Sequence, residues 1–251
     1  MLSMTGDTFR TVIFEKREGV AWVTLNRPQV LNAINLQMRD ELWSVLDAVD
    51  LDPEIGVVVF RGAGERAFSS GADIAEFGTS PSYDAARRAR LERDLWGRMR
   101  HTPKPLVAAI QGYALGAGCE MSLLCDIRIA SADAVLGLPE TSLGYIPTAG
   151  GSQTLPRTIG RGLALDMILS AEPITAAQAL ARGLVQRVVA RERLDAEADA
   201  VARRLLSMPQ DALRLAKRAL DAGQDLPLGE ALQLDAHLRS VLISQGASHS
   251  P

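Results

Sequence analysis

Cysteine, histidine and aromatic residues are all scarce in this chain of 251 residues, which has two Cys, three His and 4% aromatics. Two cysteines, Cys119 and Cys125, cannot build a disulfide framework, and both fall in one apolar stretch, which points to a reducing compartment. No histidine stands near them, so their spacing is not that of a metal site. His101, His237 and His249 do not follow a nucleophile-elbow sequence, which argues against serine or cysteine hydrolase chemistry. No apolar run approaches the roughly 20 residues that a membrane helix needs. The start, MLSMTGDTFR, has neither an apolar signal core nor an Arg-rich amphipathic pattern, so a cytoplasmic location is expected. The net charge of −3 does not suit a generally basic nucleic-acid binder. Nucleotide motifs fail on spacing: after Gly116-Ala117-Gly118 the third small residue of a dinucleotide fingerprint would stand where Met121 is, and no Gly-Lys-Ser/Thr occurs.

What is present is ample apolar material, 47% of the chain, enough for one large domain or a domain with an appendage. Thr11 to Phe14 and Val20 to Leu25 read as a hairpin turning at Glu18-Gly19. Leu36 to Val49 has helical spacing, and Val57 to Phe60 is a short buried strand, giving a mixed α/β order. An arginine-rich segment, Asp84 to Arg100, carries an apolar stripe at Leu91, Leu95, Trp96 and Met99. Leu106 to Ile110, Ile127 to Ala130 and Ala134 to Leu138 read as strands. From Ser152 onward the chain is mostly helical, with Leu184 to Val189 as the one evident strand. The last three helical stretches are expected to form a separate region, dividing the chain into 1–190 and 191–251.

Three stretches could bring backbone close to a ligand. Gln111 to Asp126 puts Gly116-Ala117-Gly118 before Glu120 and an apolar helix, so unpaired N–H groups at the helix start would face outward. A carboxylate in such greasy surroundings has its pKa raised and becomes a candidate acid or base. A plain helix cap with tight glycine packing explains the same residues equally well. Phe68 to Ile74 is a second small-residue loop, with Asp73 near a helix start. Glu140 follows a strand and adjoins the Gly/Pro-rich loop Gly144 to Gly151.

Taken in order, these landmarks resemble the crotonase superfamily of enoyl-CoA hydratases and isomerases. They are Leu25-Asn26-Arg27-Pro28, Leu31-Asn32-Ala33, Phe68 to Ile74, Gln111 to Cys119, Cys125-Asp126, Pro139-Glu140, Gly150-Gly151, Ala212-Leu213 and Ala216-Lys217. The resemblance implies an α/β spiral of strand–strand–helix turns with a C-terminal helical trimerisation region, as a homotrimer or dimer of trimers. It implies an acyl-CoA thioester as substrate, with no metal and no cofactor beyond the coenzyme A of the substrate itself. The oxyanion hole maps onto the N–H groups of Ala72 and Ala117, and the acid/base pair onto Glu120 and Glu140. Substrate or CoA contacts map onto Arg27, Ala33, Ser70, Gly71, Asp73, Ile74, Gly116, Gly118, Pro139 and Gly144. The acyl pocket maps onto 77–99 and 142–148.

Both glutamates together favour a hydratase; the alternative within the superfamily is an isomerase or a specialised acyl-CoA hydratase. A family-like protein that binds CoA or RNA without catalysis is a third reading, its RNA variant resting on the basic segment 87–100. Three departures stand out. Thr148 replaces the family's usual Gly or Asp, Ala75 replaces a basic residue, and a C-terminal CoA-covering segment is not recognisable.

Overall fold

The computed structural model describes residues 9–76, 82 and 92–246, the last two without their side chains. Phe77, the first part of the arginine-rich segment up to and including Leu91, and the tail from residue 247 lie outside the described residues. The hairpin β1 (Val12–Arg17) and β2 (Val20–Leu25) closes through Glu18 and Gly19, both at positive φ. Helix α1 (Leu36–Leu51) is capped by the Asn35 side chain, which accepts the Met38 N–H at 2.9 Å. Then come β3 (Val57–Gly62), β4 (Ala67–Ser69), α2 (Leu95–Arg100), β5 (Leu106–Ile110), β6 (Tyr113–Leu115) and α3 (Ala117–Leu123). They are followed by β7 (Ile127–Ser131), β8 (Val135–Gly137), α4 (Gly151–Ile159), α5 (Arg161–Ser170), β9 (Ile174–Thr175) and α6 (Ala176–Ala181). The chain closes with β10 (Arg187–Val189), α7 (Leu194–Leu206), α8 (Gln210–Gly223) and α9 (Leu228–Gly246).

Strands alternate between two sheets. One has the order β1-β2-β3-β5-β7-β10 and the other β4-β6-β8-β9, with parallel pairing from β2 to β10 and from β4 to β8. From β3 to β8 each coil of the chain lays one strand in the large sheet and the next in the small one. The central strands read as unbroken apolar runs because the large sheet is buried on both faces. Val58, Phe60, Leu106, Ala108 and Ile110 face the main core with α1 and α3. Their alternate neighbours Val57, Val59, Val107 and Ala109 face Leu194, Ala198, Val201 and Ala202 of α7.

Helix α7 therefore packs on the sheet, and of the three C-terminal helices it is α8 and α9 that lean chiefly on each other. Lys217 ties α8 to the core, donating to Asp126 Oδ2 at 2.8 Å and to the Lys104 carbonyl at 3.2 Å. The strand expected at Ala134 to Leu138 is shorter, and that at Leu184 to Val189 begins only at Arg187, because Leu184 and Val185 turn back onto α6 through the Ala179 carbonyl. Glu140 sits in a 3-10 turn, Pro139–Leu143, rather than at a strand end, with Pro139 opening that turn. No helix among the described residues is long and apolar enough to cross a membrane.

Candidate active site

Strands β4, β6 and β8 lie side by side in the small sheet, so the loops at their C-terminal ends meet. Those loops are the three stretches singled out in the sequence. After β4, residues 70–73 run parallel to 31–34: Ser70 N–H donates to Leu31, Ile34 N–H to Gly71, and Asp73 N–H to Ile34, at 2.9, 2.8 and 3.1 Å. This ladder uses the groups on either side of Ala72 and leaves the Ala72 N–H pointing the other way. Gly71 has φ +107, and a Cβ there would lie 2.9 Å from the Leu115 carbonyl and 3.4 Å from the Ala117 nitrogen. Glycine is what allows the two loops to touch.

The second loop turns at Gly116, φ +50, into α3, whose first residue is Ala117. No side chain caps this helix start, so the Ala117 N–H is among the donors that a helix leaves without an internal partner. Its first turn presses against β4: a Cβ at Gly118 would stand 2.5 Å from the Ser69 carbonyl oxygen. The far end of α3 is pinned by the buried Arg128 guanidinium, which donates to Cys125 and Leu184 carbonyls at 2.5 and 2.6 Å.

Glu120 stands one turn into α3 and is 2% exposed. Its Oε1 accepts the N–H groups of Ala149 and Gly151 at 2.9 and 2.7 Å, which Gly150 at φ +109 brings to the same point. Burial pushes its pKa up to about 7, with the nearby Glu140 charge adding and the two amide bonds opposing. Glu140 is half-buried and also raised by burial. Its Oε1 faces Gly116, where a Cβ would come within 3.1 Å, and its Oε2 is buried with no hydrogen-bond partner among the described residues. Two such carboxyls can move protons next to a carbonyl oxygen held by the two N–H groups.

The remaining sequence-predicted residues divide by neighbourhood. Arg27 donates to the Ala33 carbonyl and to Asp73, both at 2.7 Å, and the ion pair lowers the Asp73 pKa. The three thus brace the first loop. Ser70 and Gly71 lie within that loop, and Ile74 beyond it is exposed. Gly116 and Gly118 form the start of α3, Pro139 opens the turn of Glu140, and Gly144 ends it at φ +76. Thr148 is exposed one residue before the Ala149 amide. Both thiols are buried and pushed up to about 12, so neither is a nucleophile. Sequence reasoning missed Asn32, Ser69 and the Ala149 and Gly151 amides as parts of the site. Their only signal was membership of the Leu31-Asn32-Ala33, Phe68 to Ile74 and Gly150-Gly151 landmarks.

Known proteins resemble this chain along most of its length. Residues 15–249 match the family model described as enoyl-CoA hydratase/isomerase. A probable enoyl-CoA hydratase of Mycobacterium bovis is 40% identical over 92% of this chain and 89% of its own length. A short-chain-enoyl-CoA hydratase of Clostridium acetobutylicum is 39% identical, over 90% of this chain and 86% of its own. The crystal structure of an enoyl-CoA hydratase from Bacillus anthracis superposes with a TM-score of 0.89 at 36% identity, covering 94% and 92% of the two chains.

Proposed function

We propose that this chain, which belongs to the enoyl-CoA hydratase/isomerase family, adds water reversibly across a 2-enoyl-CoA thioester. The observation that carries this reading is the pair of carboxyls with raised pKa beside two outward-facing amides. The Ala72 and Ala117 N–H groups hold the thioester oxygen as it gains enolate charge, each contributing roughly 3–4 kcal/mol. Glu120 takes a proton from water as the water oxygen bonds to C3, and Glu140 delivers a proton to C2. Because the two carboxyls feel each other, their titration belongs to the pair. The chemistry calls on no cofactor beyond the coenzyme A of the substrate.

In the same reading the protein works as a homotrimer or dimer of trimers. The exposed Leu220, Leu228, Leu232 and Ile243 on α8 and α9 support a covered face there. The two buried free thiols support a reducing, cytoplasmic setting. Mixing the protein with crotonyl-CoA should bleach the conjugated enoyl-thioester absorbance in the ultraviolet. Absence of bleaching across straight and branched 2-enoyl thioesters, with turnover of 3-enoyl thioesters instead, would replace hydration by isomerisation.

A further inference from the structure

Ser69 is the last residue of β4, fully buried, and it touches both loops that carry the outward amides. Its hydroxyl donates to the Asn32 carbonyl at 2.8 Å and accepts the Gly71 N–H at 3.2 Å, one residue before Ala72. Its carbonyl and Cβ pack against Gly118, one residue after Ala117, so closely that a Cβ on that glycine would stand 2.5 and 2.7 Å from them. Asn32, in turn, is fixed from three directions. Its side chain accepts the Arg27 N–H at 2.9 Å and donates to the Ala63 and Ala67 carbonyls at 3.0 and 2.9 Å. Leu31 and Asn32 both hold positive φ, 54° and 55°, a conformation that persists when surroundings over-determine it.

We propose that Ser69, seated on Asn32, is a positioning residue that sets the separation and aim of the Ala72 and Ala117 N–H groups. Removing its hydroxyl leaves the Gly71 N–H and the Asn32 carbonyl unpaired in a buried place and frees the first loop to move relative to α3. This rests on the hydratase reading for its kinetic arm but not for its spectroscopic one.

The test compares wild type, Ser69→Ala and Ser69→Cys. The alanine variant should lose about 10–100-fold in kcat on crotonyl-CoA, the scale of an ångström-sized misplacement. Its KM should move by less than about three-fold, because the lost interaction is realised in the transition state. Isotope-edited infrared spectra of bound butanoyl-CoA, which cannot be hydrated, should show the thioester carbonyl shifted to lower frequency in wild type. Most of that shift should vanish in Ser69→Ala. Ser69→Cys, which keeps a weak donor, should recover part of both signals, and it decides the matter alone if the alanine variant does not fold. An unchanged carbonyl shift, whether or not kcat falls, overturns the proposal. A wild type that hydrates no enoyl thioester yet shows the Ser69-dependent carbonyl shift removes the hydratase reading and leaves the positioning role standing.

Discussion

Glu120 is 2% exposed with one oxygen held by two amides, whereas Glu140 is half-buried and its inner oxygen meets no hydrogen-bond partner among the described residues. Burial raises both pKa values, but the fold treats them differently. The Ala149 and Gly151 N–H groups oppose the burial of Glu120, favouring its charged form and fixing its direction. For Glu140 the opposing contact is a single one, from its own backbone N–H. In the proposed mechanism the anchored carboxyl, Glu120, is the base, and the less constrained Glu140 is the acid.

The harshest way to break this comparison is to neutralise each group in turn. Glu120→Gln and Glu140→Gln should each lower kcat by roughly 10²–10⁴-fold; steady-state hydration of crotonyl-CoA measures it, and a near-normal rate in either variant removes that residue from the chemistry. A smaller effect separates the two supports. A methyl group at Gly151 would lie 2.9 Å from both Cγ and Oε1 of Glu120, so Gly151→Ala disturbs that carboxyl and spares the other. We expect a loss of about 10–100-fold in kcat/KM from this change. The acidic limb of its pH profile should also move upward, because weaker amide bonds favour the charged form less.

The acidic limb itself sharpens the contrast. A base must be ionised, so kcat/KM of the wild type should rise with pH through an apparent value near 7, where Glu120 loses its proton. A flat profile from pH 5 to 8 would contradict that role. The mildest effect is on stability. The folded protein holds the Glu120 proton up to about 7, while the unfolded chain releases it near 4.5. Stability contributed by this group is thus full below the lower value and declines as pH rises through the higher one. Glu120→Gln should be more stable than wild type at pH 8 by up to about 3 kcal/mol and indistinguishable at pH 4. Denaturant unfolding at the two pH values reads the difference.

Much of the scaffold was legible in the sequence because its signals are local. The hairpin at Glu18-Gly19, the helix from Leu36 and the apolar strands at Val57, Leu106 and Ile127 follow from period and punctuation alone. The two loops with outward amides announced themselves through small residues after strands. Helix α4 was legible only as the start of the helical stretch from Ser152, since Gly150-Gly151 opens it and Pro156 interrupts its bonding pattern. The packing of α7 on the sheet was hidden for another reason: its apolar stripe says that one face is buried but not against what. Likewise the sequence offered Ser69 and Asn32 only as neighbours of more suggestive residues. Their bond spans 37 positions and exists only once the first two coils lie side by side.

One detail of Glu120 reaches beyond rate. Both amide bonds fall on Oε1, which fixes the direction of the carboxyl and leaves Oε2 free of them. If the thioester oxygen sits between the Ala72 and Ala117 N–H groups as proposed, the planar alkene presents only one face to the Glu120 carboxylate. The product of a trigonal carbon attacked from one fixed side is a single mirror-image form, so in the proposed reaction handedness at C3 of the hydroxyacyl thioester follows from the side of the bound alkene on which the anchored Glu120 carboxylate stands.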